Sequence, residues 1–140
     1  MTQKVEFPPR HVTEEKLMEF ARAVHTQNKI YHSTAAATSS GYPGLVAVPT
    51  FGAVWVGQIL EYIISSDLNI DYSHIVHGEQ HFLYKRPIFA GDILRPILRI
   101  KRDRAFGNAR QIVLEVTLLS EGSNDDVLVM TITLIVRGKA

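Results

Sequence analysis

Chemistry in this chain has to come from imidazole, carboxylate, hydroxyl and cationic groups, because its 140 residues include six histidines and no cysteine. A thiol nucleophile, a thiolate metal site and a disulfide framework are thereby excluded. Two histidine placements stand out. His74, His77 and His81 are spaced three and four residues apart, as metal ligands on a helix would be, but their stretch reads as loop running into strand. On a strand His77 and His81 share one face, and no Asp or Cys completes a ligand set. No metal is expected, and a His77 that supports a turn at Gly78 is the simpler reading. His32 lies in a polar loop. An imidazole suits proton transfer near neutral pH, yet no carboxylate sits at a spacing that would orient this one.

The bulk composition bounds what surrounds these groups. One domain over residues 1–140 is expected, with 46% hydrophobic and 21% charged residues, too apolar for a disordered chain. A net charge of +1 argues against a general nucleic-acid binder. Met1 to Arg10 carries Lys4, Glu6, Pro8 and Pro9 and no apolar leader core. The longest apolar stretch, Phe51 to Ile64, contains Gln58 and Glu61 and falls short of the roughly 20 residues of a bilayer span. A soluble, cytoplasmic protein without membrane insertion is the expectation.

The elements that must position the chemistry follow from periodicity. Leu17, Phe20, Ala21 and Val24 recur at helical spacing, with Thr13 as N-cap, Glu14 and Glu15 at the positive end, and a fade near His25. Thr26 to Pro49 is irregular, with a strong turn at Gly41-Tyr42-Pro43-Gly44 and a short helical turn within Tyr31–Thr38. Long loops of this kind often carry function. Thr50 then caps a second helix, apolar on nearly all sides and therefore buried, ending at Ser65-Ser66-Asp67 and roughly 25 Å long. Leu94–Ile100, Ile112–Leu118 and Leu128–Val136 alternate with period two between turns at 87–92, 106–108 and 121–126, the pattern of an antiparallel meander. Pro96 suits an edge or a bulge. Only a sheet can bury the apolar helix, so an α+β arrangement of antiparallel sheet around a long central helix is predicted.

That arrangement is the hotdog fold, and particular stretches resemble one branch of it. His25-Thr26-Gln27-Asn28-Lys29-Ile30-Tyr31-His32 and Gly41-Tyr42-Pro43-Gly44 through Phe51 resemble the MaoC-like hotdog dehydratases. So do Val76-His77-Gly78-Glu79-Gln80-His81-Phe82, Arg86-Pro87-Ile88-Phe89-Ala90-Gly91-Asp92 and Thr133–Gly138. Within that family the chain most resembles the small actinobacterial HadA/HadC-type subunits, which carry the FAS1-like dehydratase N-terminal domain. The likeness covers nearly the whole chain. The Gly-Tyr-Pro-Gly and His-Gly-Glu-Gln stretches are its more specific parts.

The resemblance implies dehydration of a (3R)-hydroxyacyl thioester, or hydration of an enoyl thioester, with no cofactor. Catalytic members use the Asp and His of an Asp-x-Asn-Pro-(aliphatic)-His motif, with backbone N–H groups at the start of the buried helix as oxyanion donors. Aligned on Asn28 and Ile30, Thr26 stands at the Asp position, Lys29 at the Pro and Tyr31 at the His. Threonine is no carboxylate, and a phenol, ordinarily titrating near 10, is a poor base at neutral pH. Sliding by one residue brings in His32 but puts Gln27 at the Asp position. HadA/HadC-type subunits share this loss and pair with a catalytic subunit while shaping the acyl site.

The chain is therefore expected to be the substrate-binding subunit of a dehydratase in fatty-acid or mycolate-like elongation, as a homodimer or as a heterodimer with a catalytic MaoC-like subunit. Asn28, Gly44, Pro49, Thr50, Phe51, Gln80 and Phe82 are the expected substrate contacts, with Trp55 and Tyr62 in the core or along an acyl tunnel. Arg95, Arg99, Lys101, Arg102, Arg104 and Arg110, opposed only by Asp103, form either a solvated strand face or a dock for CoA phosphates or an acidic acyl carrier protein. The alternatives are a homomeric hydratase rebuilt on Tyr31 or His32, and a non-enzymatic acyl-thioester binder. A hotdog thioesterase fits less well, because Glu61 lies far down the central helix.

Overall fold

The computed structural model describes residues 4–138. The first helix, α1, spans Glu14–Ala23, and the Thr13 hydroxyl accepts the Lys16 N–H at 3.2 Å as its N-cap. Leu17 and Ala21 are buried, but Val24 is exposed, contrary to the helical pattern. The helix stops at Ala23, Val24 becomes the C-cap and His25 turns left-handed at φ +60°, so Val24 leaves the apolar face. Between α1 and the central helix lie a 3-10 turn, Lys29–Tyr31, and a short helix α2, Thr34–Ser39, each started by a side-chain cap from Asn28 and Ser33.

The central helix begins as a 3-10 segment, Phe51–Trp55, and continues as α3, Val56–Ser65. Five residues at about 2.0 Å and ten at about 1.5 Å give roughly 25 Å, as expected. Thr50 does not cap it with its side chain. Tight i→i−3 bonds, Phe51 N–H to Val48 at 2.8 Å and Ala53 N–H to Thr50 at 3.0 Å, satisfy the amides a cap would have served. Nor is the helix buried all round. Phe51, Gly52, Trp55, Val56, Ile59 and Ile63 are buried, whereas Ala53, Gly57, Glu61 and Ser65 are exposed along the opposite stripe. The chain's own sheet covers one side only.

The strands are β1 (Lys4–Glu6), β2 (Arg10–His11), β3 (Ile75–Tyr84), β4 (Ile93–Phe106), β5 (Ala109–Ser120) and β6 (Asp126–Val136). They form one antiparallel sheet in the order β1-β4-β5-β6-β3, with β2 also on β4. Only β4, β5 and β6 make the expected meander. The strand β3 follows the central helix and crosses to the far edge, beside β6. Ile112, Leu114, Val116 and Leu118 of β5 and Leu128, Met130, Ile132 and Leu134 of β6 are fully buried on the face that holds the helix, as the alternation requires. Pro96 is neither at a free edge nor at a bulge. Its carbonyl accepts the Phe7 N–H at 3.0 Å, so its nitrogen faces the break between β1 and β2, where no bond is required of it.

A bulge between His77 and Glu79 changes the reading of the histidines. His77 is level with Leu134, an inner-face residue, while His81 is level with Thr131 on the outer face. The two do not share a face. His74 does have an acidic neighbour, Asp71, whose carboxylate is 3.1 Å away and whose pKa is lowered chiefly by the Ser73 hydroxyl. Among the described residues no helix is long and apolar enough to cross a membrane.

Candidate functional site

Three segments come together beside the start of the central helix. Ile30 and Tyr31 come from the 3-10 turn, Tyr42 to Pro49 from the approach to the helix, and Tyr84 to Ile88 from the end of β3. Backbone bonds pin them to one another: Val46 N–H to Ile30 at 3.3 Å, Ala47 N–H to Ile88 at 2.8 Å and Ala90 N–H to Leu45 at 2.9 Å. They enclose a cleft of about 350 Å³ lined by Ile30, Val46, Ala47, Pro49 and Ile88, three tyrosines (Tyr31, Tyr42, Tyr84), Lys85, Arg86 and Pro87. That size lies within the range of small-molecule sites, about 300–1,000 Å³.

The turn after β3 is held rigid by Asp92. Its carboxylate takes a two-pronged pair from Arg86, at 2.9 and 3.0 Å, and the Phe89 N–H at 2.8 Å. Gly91, at φ +96°, supplies the conformation the turn needs. The Arg86 guanidinium lies 5.7 Å from the Phe89 ring centroid, and Tyr42 meets the same ring at 6.2 Å. Arg86 is thus a structural cation, and Lys85 is the exposed one at the rim.

Thr26 and Tyr31 are close in chain but differ in position. Tyr31 lines the cleft and Thr26 does not. The Thr26 carbonyl is taken by His32, whose Nε2 is 2.8 Å away. A carbonyl only accepts, so Nε2 carries the proton and His32 serves as a brace across the loop. The wall offers tyrosine hydroxyls and an ammonium; among the described lining residues there is no carboxylate and no imidazole. Such a wall can pack against apolar groups and donate hydrogen bonds. It lacks a group that exchanges protons near pH 7.

Of the expected substrate contacts, Pro49 lines the cleft; Asn28, Gly44, Thr50, Phe51, Gln80 and Phe82 do not. The Asn28 side chain accepts the Ile30 N–H at 3.1 Å and starts its own turn. Phe51 is core, 2% exposed, and packs edge-on against Phe20 and Trp55. Gln80 and Phe82 face inward from β3, level with Ile132 and Met130.

Tyr84 was missed, although it continues the same alternating row as Gln80 and Phe82. Its hydroxyl donates to the Pro49 carbonyl. Burial pushes this phenol up to about 12, against a smaller opposite effect of the hydrogen bond with the Gly52 backbone. Because the folded value lies above the ordinary 10, its contribution to stability is intact below pH 10 and is lost as pH rises through about 12. A spectrophotometric titration should show a tyrosinate step near pH 12 that disappears in Tyr84→Phe. The same step in the variant would contradict this assignment.

The basic residues are not gathered at the cleft. Arg95 bonds Glu6, Glu121 and Asn124. Arg110 makes a two-pronged pair with Asp103 at 2.7 Å and reaches the Leu68 carbonyl, and this pairing lowers the Asp103 pKa. Arg104 bonds Gln111, and Arg99 is level with Glu115. Lys101 and Arg102 remain exposed. Tyr84 is level with Leu128, Leu118 and Pro96, so Arg102 lies three strands across the sheet and, six residues further along β4 at about 3.3 Å per residue, roughly 20 Å along the strand direction.

The sheet order, the central helix covered on one side by that sheet and the cleft at the helix start are those of a hotdog protein. The family model for the FAS1-like dehydratase domain region matches residues 1–130. The chain belongs to this family. It is 36% identical over 131 residues to a UPF0336 protein of Clavibacter michiganensis, covering 93% of this chain and 87% of that one. Among solved structures it is similar to the HadBC (3R)-hydroxyacyl-ACP dehydratase complex of Mycobacterium tuberculosis, with 28% identity, a TM-score of 0.84 and coverage of 96% and 95%. A MaoC-like dehydratase superposes with a TM-score of 0.87 at 26% identity, covering 96% of this chain and 41% of that longer one.

Proposed function

We propose that this chain is the substrate-binding, non-catalytic subunit of a two-chain dehydratase that interconverts (3R)-hydroxyacyl and enoyl thioesters of acyl carrier protein or CoA. The observation that carries the reading is the cleft itself. Its lining is largely apolar, it includes Tyr31, the residue that stands at the His position of the family motif, and neither an imidazole nor a carboxylate is among the described lining residues. The two-chain nature of the related mycobacterial dehydratase supports it.

In this reading the partner's Asp and His remove the C2 proton and protonate the departing C3 hydroxyl, so that water leaves. This chain holds the acyl group, excludes water and donates phenolic hydrogen bonds. The edge strand β3 has one unpaired side and exposes Val76 and Leu83, and the half-open helix stripe includes Leu60 and Ile64. These are surfaces on which a second hotdog chain would pack.

The test is reconstitution. Purified alone, the chain should hydrate enoyl thioesters at background rate. Co-expressed with a MaoC-like chain that carries an intact Asp/His motif, it should form a complex at least about 10²-fold more active, the lower range of acid–base catalysis. Robust turnover by the chain alone, abolished in His32→Ala, would overturn the reading in favour of a homomeric hydratase.

A further inference from the structure

Tyr84 lines the cleft, and the next residue of its row on β3, Phe82, does not. The Tyr84 hydroxyl is tied to the carbonyl of Pro49, which also lines the cleft, while Gly52 is not part of the lining. Phe82 is the next residue inward on the same face of β3, with its ring nearly parallel to that of Tyr84 at 6.2 Å. It lies hard against the helix start. A Cβ on Gly52 would come within 2.9 Å of the Phe82 ring, 2.7 Å of Leu128 and 3.1 Å of Met130. Further along, the Gln80 amide faces only the Met130 sulfur, at 3.9 Å. Beyond Tyr84, then, side chains of β3 are packed directly against the start of the central helix and against β6.

We infer that Tyr84 is a specificity-determining residue, the end wall that limits the length of acyl chain the cleft accepts. The inference rests on the proposed acyl-binding role of the cleft. The hydroxyl anchor on Pro49 fixes the ring, and the ring stands between the open cleft and the packed side chains behind it. An acyl chain gains affinity for each methylene it takes out of water until it meets this ring. Truncating the ring adds the volume it occupied to the cleft.

The experiment measures binding of straight-chain acyl-CoA thioesters, graded from butyryl to palmitoyl, to the full chain by calorimetry. In the wild type, affinity should rise by about fourfold per methylene and then level off. In Tyr84→Ala the plateau should move outward by about two methylenes, a gain of roughly fifteenfold for the longer thioesters. Tyr84→Phe keeps the ring and should keep the wild-type plateau. Tyr84→Leu, closer in volume, should shift it by less than Tyr84→Ala and gives the same comparison if the alanine variant does not fold. An unchanged plateau in a folded Tyr84→Ala or Tyr84→Leu, with wild-type binding intact, would overturn the role of Tyr84 alone. Wild-type affinity that does not depend on chain length would overturn the acyl-binding reading beneath it.

Discussion

Trp55→Ala is expected to lower the unfolding free energy by about 3–5 kcal/mol, the usual cost of deleting a buried tryptophan. Trp55 is 1% exposed, closes the 3-10 segment of the central helix and meets the Phe51 ring edge-on at 5.7 Å. With a total stability of about 5–15 kcal/mol for a domain, the loss is a large fraction. Trp55→Phe should cost much less. It retains a ring and removes an indole N–H that is buried without a hydrogen-bond partner, a group whose burial itself costs about 1–3 kcal/mol. Denaturant unfolding of both variants measures the difference. Equal losses would mean that the indole N–H makes a stabilising hydrogen bond lost in both variants, and would contradict the account of the site by ring packing.

Asp92→Ala should cost about 2–3 kcal/mol and weaken the cleft as well. Its carboxylate is 15% exposed and holds both prongs of Arg86 and the Phe89 N–H. Stranding one partner of a buried ion pair costs about 3–5 kcal/mol, and Arg86, 35% exposed, recovers part of that from water. Arg86, Pro87 and Ile88 form one wall of the cleft, so acyl-thioester affinity should fall with stability. In Asp92→Asn an acceptor for the Phe89 N–H survives, and an intermediate loss is expected. A variant as stable as wild type would show that the turn is held by its backbone alone.

The features legible in the sequence were those with a local period. The alternation in Ile112–Leu118 and Leu128–Val136 identified the buried face of two strands, because each side chain there meets the helix directly. The Thr13 cap was readable for the same reason, as its partner is three residues away. What failed was non-local or a one-residue irregularity. The bulge at Gly78 reverses the faces of His77 and His81, and alternation does not show where a residue is inserted. Arg95 looked free because its partner Glu6 is 89 residues distant. The apolar periphery of the central helix suggested complete burial, but periodicity reports which residues are apolar and not how far the chain's own sheet reaches.

The site followed the same division. Tyr31 and Pro49, singled out through the resemblance, line the cleft. Phe51 adjoins the helix start that the motif marked, but its ring turns into the core. Tyr84 carried no motif, and only the return of β3 to the helix start brings it to Pro49.

The most direct measurement of the subunit role is the kinetics of the two-chain complex with Thr26→Ala and Tyr31→Phe combined in this chain. A kcat within about threefold of wild type, with any loss appearing in KM, is expected if Tyr31 contacts the substrate and neither side chain moves its protons. A fall in kcat of about 10²–10⁴-fold, the signature of a lost general acid or base, would place catalysis in this chain and contradict the role assigned to it.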